Sequence, residues 1–246
     1  MKQLRFSCVL VYATAIVFLT SCGGGGKEKS NVDSTVVDTS STATVTPVTS
    51  TVVTTPQSMM VATHKVTNFA KWMTSYEEHD SMRLASQIHS YVIGRGVHDS
   101  NMVMVAVKVD DMDKAKAFSK NASLKEAMKK GGVMGPPTFN FVTMMFQDTV
   151  QVNTDVRASV LFKVKDWDTW QKAFEEGKQT RMENGLVTRA YGHDVDDNHK
   201  VFVVVALTDT AKAYAYWKSD MLKTKMKDAG VEGEPKRFVF RVVKRY

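Results

Sequence analysis

The chain has 246 residues, of which 43% are hydrophobic and 24% charged, and its 33 basic and 26 acidic side chains give a net charge of +7. The basic residues are dispersed among acids, with neither aromatic interleaving nor a helical basic stripe, which excludes a nucleic-acid-binding surface and leaves a mildly basic, solvated one. There are two cysteines, Cys8 and Cys22, and none in residues 23–246, so the stability of that stretch must come from packed cores rather than a disulfide framework.

The first segment in chain order is a targeting signal. Lys2 and Arg5 form a basic start, an apolar run extends from Val9 to Leu19, and small residues lead to Leu19-Thr20-Ser21-Cys22. The run is too short to span a bilayer, and no stop-transfer pattern follows it. This pattern resembles a bacterial lipoprotein signal with its lipobox. The resemblance implies cleavage before Cys22, a signal peptide over residues 1–21, and acylation (palmitate among the chains) of Cys22. Lipid bilayer is then the first expected partner, because several acyl chains on one residue anchor firmly where one binds only marginally. Gly23 after the cysteine resembles the sorting pattern of outer-membrane lipoproteins, periplasmic or surface-facing.

Residues 22–57 read as the lipidated cysteine followed by a flexible linker. Four glycines follow Cys22, and residues 30–55 hold 14 serines or threonines. Valines in this tract, including Val52 and Val53, lack framing turn signals, so the whole stretch is expected to be solvated. Asp33-Ser34-Thr35 resembles the acceptor for O-glycans in the Bacteroidetes.

From here the chain repeats itself. Residues 61–145 shifted by 98 positions onto 159–243 match, without a gap, at 25 of 85 positions. These include Trp72/Trp170, Glu77/Glu175, Arg83/Arg181, Gly94/Gly192 and Gly132/Gly230. A match of this length means two copies of one fold, assigned here to residues 58–148 and 149–246. Within each copy the hydrophobic period predicts a strand (59–66, 157–164), then Asn68 or Asp166 as N-cap of a helix running to about 85 or 184. A hairpin follows, 88–97 with 101–108 and 186–195 with 199–207, turning at Asp99 and Asp197. Asp111 and Asp209 cap a second helix ending at Gly132 or Gly230, and a last strand follows (138–147, 236–245). The order strand-helix-strand-strand-helix-strand defines a ferredoxin-like α+β unit with both helices on one face of its sheet. The third strands, Met102–Val107 and Val201–Ala206, are apolar on both faces, so the second face is expected to be covered by the other copy's sheet.

The Lys-Val-x-Asn/Asp-aromatic-x-x-Trp start, the Glu-Glu…Arg helix, the Asp hairpins and the Gly-Val-x-Gly-x-Pro turn together resemble the dimeric α+β barrel superfamily, which includes antibiotic-biosynthesis-type monooxygenases and cyclase-like proteins. In such proteins two chains pair sheet to sheet around a pocket. The resemblance implies tandem ferredoxin-like repeats forming an intramolecular α+β barrel, with repeat 1 pairing with repeat 2.

Catalytic and metal signatures do not emerge. The six histidines show no Zn-ligand spacing, and Glu77-Glu78-His79-Asp80 points around a helix rather than to one site. Eleven of the fifteen methionines fall in repeat 1; thioethers suit Cu(I), but they also fill irregular cores, and core is the reading adopted. No nucleophile elbow and no phosphate-cradling loop occurs, so no catalytic residue, metal or cofactor is assigned. The second strands offer the best polar face. Strict alternation places His89, Tyr91, Ile93 and Arg95 together, over Val187, Arg189, Tyr191 and His193 of repeat 2. Arg241 shares a face with Arg237, Val239, Val243 and Arg245 on the last strand. If these faces meet between the sheets they form a pocket for a small anionic or aromatic ligand; the plain alternative is an outward strand face dressed with charge. The expectation is thus a membrane-anchored extracytoplasmic binding or interaction module, with His89, Tyr91, Arg95, Arg189, Tyr191, His193 and Arg241 as ligand residues. The alternatives are a cofactor-independent monooxygenase or cyclase-like enzyme, and a structural envelope lipoprotein.

Overall fold

The computed structural model describes residues 50–246. The signal, Cys22, the glycan-acceptor pattern and most of the linker lie outside the described residues. The first copy contains β2 (Gln57–Val66), α1 (Phe69–Glu78), α2 (Asp80–Ala85), β3 (Ile88–Gly96), β4 (Met102–Val109), α3 (Met112–Ser119), α4 (Ala122–Lys130) and β5 (Val133–Asp148), preceded by a two-residue strand β1 (Val52–Val53). The second runs β6 (Val156–Val164), α5 (Trp167–Glu176), α6 (Lys178–Glu183), β7 (Leu186–Asp194), β8 (Lys200–Leu207), α7 (Thr210–Lys218), α8 (Asp220–Asp228) and β9 (Val231–Arg245).

Local chemistry fixes the helix starts. Asn68 and Asp166 accept the Lys71 and Thr169 amides at 2.9 and 2.8 Å, and Asp111 and Asp209 accept the Lys114 and Lys212 amides, both at 3.0 Å. Each such cap contributes about 1 kcal/mol. Gly132 and Gly230 end α4 and α8 with φ of +82° and +73°, a conformation that side chains with a β-carbon resist.

Each helix expected as one piece is broken into two. Asn121 and Ser219 adopt extended dihedrals and accept the Ser123 and Leu222 amides, restarting the helix as an N-cap does. In the first pair the break is clamped by the shared arginine. Arg83 Nη1 donates to the Tyr76 carbonyl at 2.7 Å, and its guanidinium lies 3.7 Å from the Tyr76 ring centre. Arg181 repeats this on Phe174, at 2.5 and 3.6 Å. The Glu-Glu…Arg motif is therefore a structural clamp on carbonyls freed at a helix end.

The two copies join into one closed barrel. Hydrogen-bonded neighbours run β5-β2-β4-β3-β9-β6-β8-β7, and β7 returns to β5. The seams between copies are β3–β9, where Gly94 faces Val242, and β5–β7, where Met144 faces Gly192. A β-carbon at Gly94 would run into the Phe240 ring, and one at Gly192 into the Thr143 carbonyl, which explains why both copies keep glycine there. Val52 and Val53 pair with Asp148 and Gln147, so the solvated-linker expectation fails at its carboxyl end, where a free strand edge supplies partners for their backbone groups. Three apolar clusters result. One lies under the helices of each copy, around Trp72 and around Trp170, and the third fills part of the barrel interior with Met59, Val61, Met104, Phe202 and Phe240. Among the described residues no helix is long and apolar enough to cross a membrane.

Candidate ligand cavity

The interior cluster does not fill the barrel. A cavity of 640 Å3 extends from Phe202 and Phe240 to a mouth formed by the segment joining the copies (residues 148–157) and the end of β9. Its floor is apolar, including Met59, Val61, Met104, Ala106, Phe202 and Val204. Its wall carries Arg157, Arg189 and Arg245, with Tyr91 and Gln147 facing from repeat 1. That size and mixture match a small-molecule site more than a packing defect.

β-Bulges aim these side chains. In β3, Ser90 pairs with Val107 and Val92 with Ala106, so Tyr91 is an extra residue. In β7, Thr188 pairs with Val205 and Ala190 with Val204, which makes Arg189 the equivalent extra residue. Val243 is likewise skipped between Val242 and Lys244 in the β3–β9 ladder. Each bulge inserts one residue and so reverses which later side chains point inward.

The cations are poorly compensated. Arg157 is 5% exposed, and its Nη1 donates to the Thr154 and Val156 carbonyls at 2.7 and 3.0 Å. Burial, and then the charges of Arg189 and Arg245, push Arg157 down to about 10, still protonated at neutral pH. Arg189 Nη2 donates to the Val150 carbonyl at 2.6 Å. Its Nη1 is buried without a hydrogen-bond partner among the described residues, and the Asp148 carboxylate at 3.9 Å is too distant to supply one. Burial lowers this group too. The second wall carboxylate, Asp155, is engaged by Arg241 outside the barrel at 2.9 Å. Arg245 forms no ion pair among the described residues. The wall is thus cationic and only partly compensated, above an apolar floor.

Of the expected ligand residues, the cavity gathers Tyr91 and Arg189 and leaves out five. His89 lies on the surface, bonded to Asp110 at 2.7 Å. Arg95 packs over Phe69 on the helix side, its Nε donating to the Ser100 carbonyl. Tyr191 is buried under α5, donates to Glu175, and is pushed up to about 12 by burial and then by that bond. His193 packs edge-on against Trp167, with ring centres 4.8 Å apart. Arg241 points outward to Asp155. For Arg95, Tyr191 and His193 the reason is shared: strict alternation was carried across the bulges at Tyr91 and Arg189, and each bulge turns the downstream residues to the opposite face. His89 and Arg241 precede their bulges; His89 sits at the exposed start of β3, and Arg241 shares the helix-side face of β9 with Val239. Arg157 was missed, and Arg245, placed on the same face as Arg241, was not named as a ligand residue. Arg157 was detectable as one basic residue in the run Val156-Arg157-Ala158-Ser159-Val160; Arg245 becomes an inward residue only because of the Val243 bulge.

Two smaller cavities lie between sheet and helices, of 70 Å3 in repeat 1 and 130 Å3 in repeat 2. His64 borders the first, 4% exposed, with neither ring nitrogen hydrogen-bonded among the described residues. Burial lowers it to about 4, so it is neutral at physiological pH. Among the described residues no group of three or more His, Cys, Asp or Glu is placed to hold a metal ion.

Fold and cavity together define an intramolecular α+β barrel with a ligand-sized interior. No protein-family model matches the sequence, and no curated protein matches it. Solved structures do. A candidate monooxygenase from Fusobacterium nucleatum aligns with a TM-score of 0.51 at 13% identity, covering 77% of this chain and 93% of its own. An anthrone oxidase-like protein aligns at 0.52 and 12%, covering 79% and 95%. A candidate monooxygenase from Lactobacillus acidophilus aligns at 0.50 and 8%, covering 76% and 94%. These neighbours are ferredoxin-like α+β barrel proteins of the antibiotic-biosynthesis-monooxygenase type, and at such identities the likeness concerns the fold alone.

Proposed function

We propose that the protein is an extracytoplasmic binding module that takes a small anionic ligand into the barrel interior. The observation that carries this reading is the 640 Å3 cavity whose wall bears three arginines with little internal compensation. A structural protein gains nothing from leaving such a volume empty, since unfilled apolar space forfeits packing energy. The lining contains no histidine, and its phenols are Tyr91 and Tyr246. Tyr246 donates to Glu77 at 2.6 Å, and burial followed by that bond raises its pKa. The lining carboxylates Asp148 and Asp155 are paired with Arg189 and Arg241, so with Tyr246 tied to Glu77 the arrangement favours binding over acid–base catalysis. The test is titration with the anionic aromatic probe 1-anilinonaphthalene-8-sulfonate. Saturable binding of one molecule per chain, abolished by Ala106→Phe, supports the reading; binding indifferent to that substitution defeats it.

The same proposal places the module on a membrane through acylated Cys22, with residues up to the start of β1 as the tether and the outer membrane as the location. Metabolic labelling with an alkyne fatty acid tests this. Label on the wild-type protein but not on Cys22→Ser, with release of the variant from the membrane fraction, is the expected outcome. Label retained on the variant would refute it.

A further inference from the structure

The cavity lies where the two copies meet, and most of its wall consists of equivalent pairs 98 residues apart. Met104 matches Phe202, Ala106 matches Val204, and Met144 matches Val242, so the apolar floor is conserved in character. The mouth is not. Met59, Tyr91 and Gln147 of repeat 1 stand where repeat 2 has Arg157, Arg189 and Arg245. All three arginines thus come from one copy, and all three counterparts are uncharged. A symmetric cavity would present cations on both sides, suiting a two-headed anion or two molecules. This one presents them on one side only.

Resting on the binding reading above, we infer that the ligand is a single-headed amphiphilic acid: one carboxylate or comparable monoanion held by Arg157, Arg189 and Arg245, with an aliphatic or aromatic body lying over the Met and Phe floor. Arg189 lines the cavity with its guanidinium held by the Val150 carbonyl at 2.6 Å and the Asp148 carboxylate at 3.9 Å, which fixes a cation in the wall beside the head. Nη1 of Arg157 is already tied to two carbonyls, which fixes that guanidinium and leaves its remaining N–H groups for the ligand. The head lies at the mouth, because residues 148–157 and the end of β9 frame it, and the body enters first.

The experiment is calorimetric titration of the full-length protein with octanoate, octanol and octanedioate, repeated on Arg157→Met, Arg189→Tyr and Arg245→Gln, which install the residues of repeat 1. One octanoate per chain is expected, with octanol and octanedioate weaker by about tenfold or more, the loss typical of a missing charge-assisted bond or an added buried charge. Each substitution is expected to weaken octanoate and leave octanol unchanged; Arg245→Gln, at the strand end, serves if the buried variants fail to fold. Octanol equal to octanoate would overturn the anionic head while leaving the binding cavity intact. Octanedioate equal to octanoate would overturn the one-sided arrangement. Failure of all three to bind would overturn both this inference and the reading it rests on.

Discussion

Tyr91 and Arg189 occupy the same extra position of the same β-bulge, one in each copy, and both face the barrel interior. One bulge, kept through duplication, therefore presents a phenol on one side of the cavity and a cation on the other. Bulges commonly re-aim side chains next to functional sites, and here the pair sets the polarity of the mouth.

Arg157→Met is expected to leave stability unchanged or raise it by about 1 kcal/mol, because replacing a buried, poorly paired charge by an apolar residue is often neutral or favourable. Ligand binding should fall in the same variant. Denaturant unfolding with and without ligand checks this, and a large stability loss would mean that Arg157 is satisfied structurally.

His64 predicts a pH dependence. Its folded-state pKa of about 4 lies below the ordinary 6.5, so between these values the unfolded chain binds a proton that the folded one refuses. Stability should be full above pH 6.5, decline as pH falls towards 4, and lose roughly 3 kcal/mol across that window. His64→Phe, which installs the residue of the second copy (Phe162), should flatten the decline. Urea midpoints measured from pH 7 to 4 report it.

Gly94→Ala and Gly192→Ala should both weaken barrel closure, since each added methyl meets the opposite seam strand. A cost of about 1–3 kcal/mol is expected for such overpacking, greater at Gly192, where the obstacle is backbone. Thermal unfolding ranks the two; an unaffected Gly192→Ala would argue against tight seams.

Arg83→Met removes the clamp on the Tyr76 carbonyl. Loss of a charge-assisted bond and of the stacking contact should cost about 2–3 kcal/mol without altering binding in the barrel, because Arg83 lies on the helix side. Paired unfolding and binding measurements separate the two effects.

Much of this fold was legible. The register of 98 residues, the Asn and Asp caps and the glycine stops together set element order and barrel architecture, because each signal is local. The site was harder to read. In the run Val92-Ile93 both residues are apolar, so either face assignment satisfies the hydrophobic pattern, and the Tyr91 bulge leaves no trace in composition. The Val243 bulge hides equally well inside Val242-Val243. Once those reversals are made, Arg245 turns inward, while Arg241 remains outside with Asp155. The helix breaks at His79 and Asn121 were similarly invisible, since the apolar stripe continues across them.

The most direct test is native mass spectrometry of the protein purified from its host, beside an Ala106→Phe variant purified identically. One small acid is expected to be retained per wild-type chain and to be absent from the variant. The same bound mass on both proteins, or bare chains throughout, would contradict a ligand housed inside the barrel.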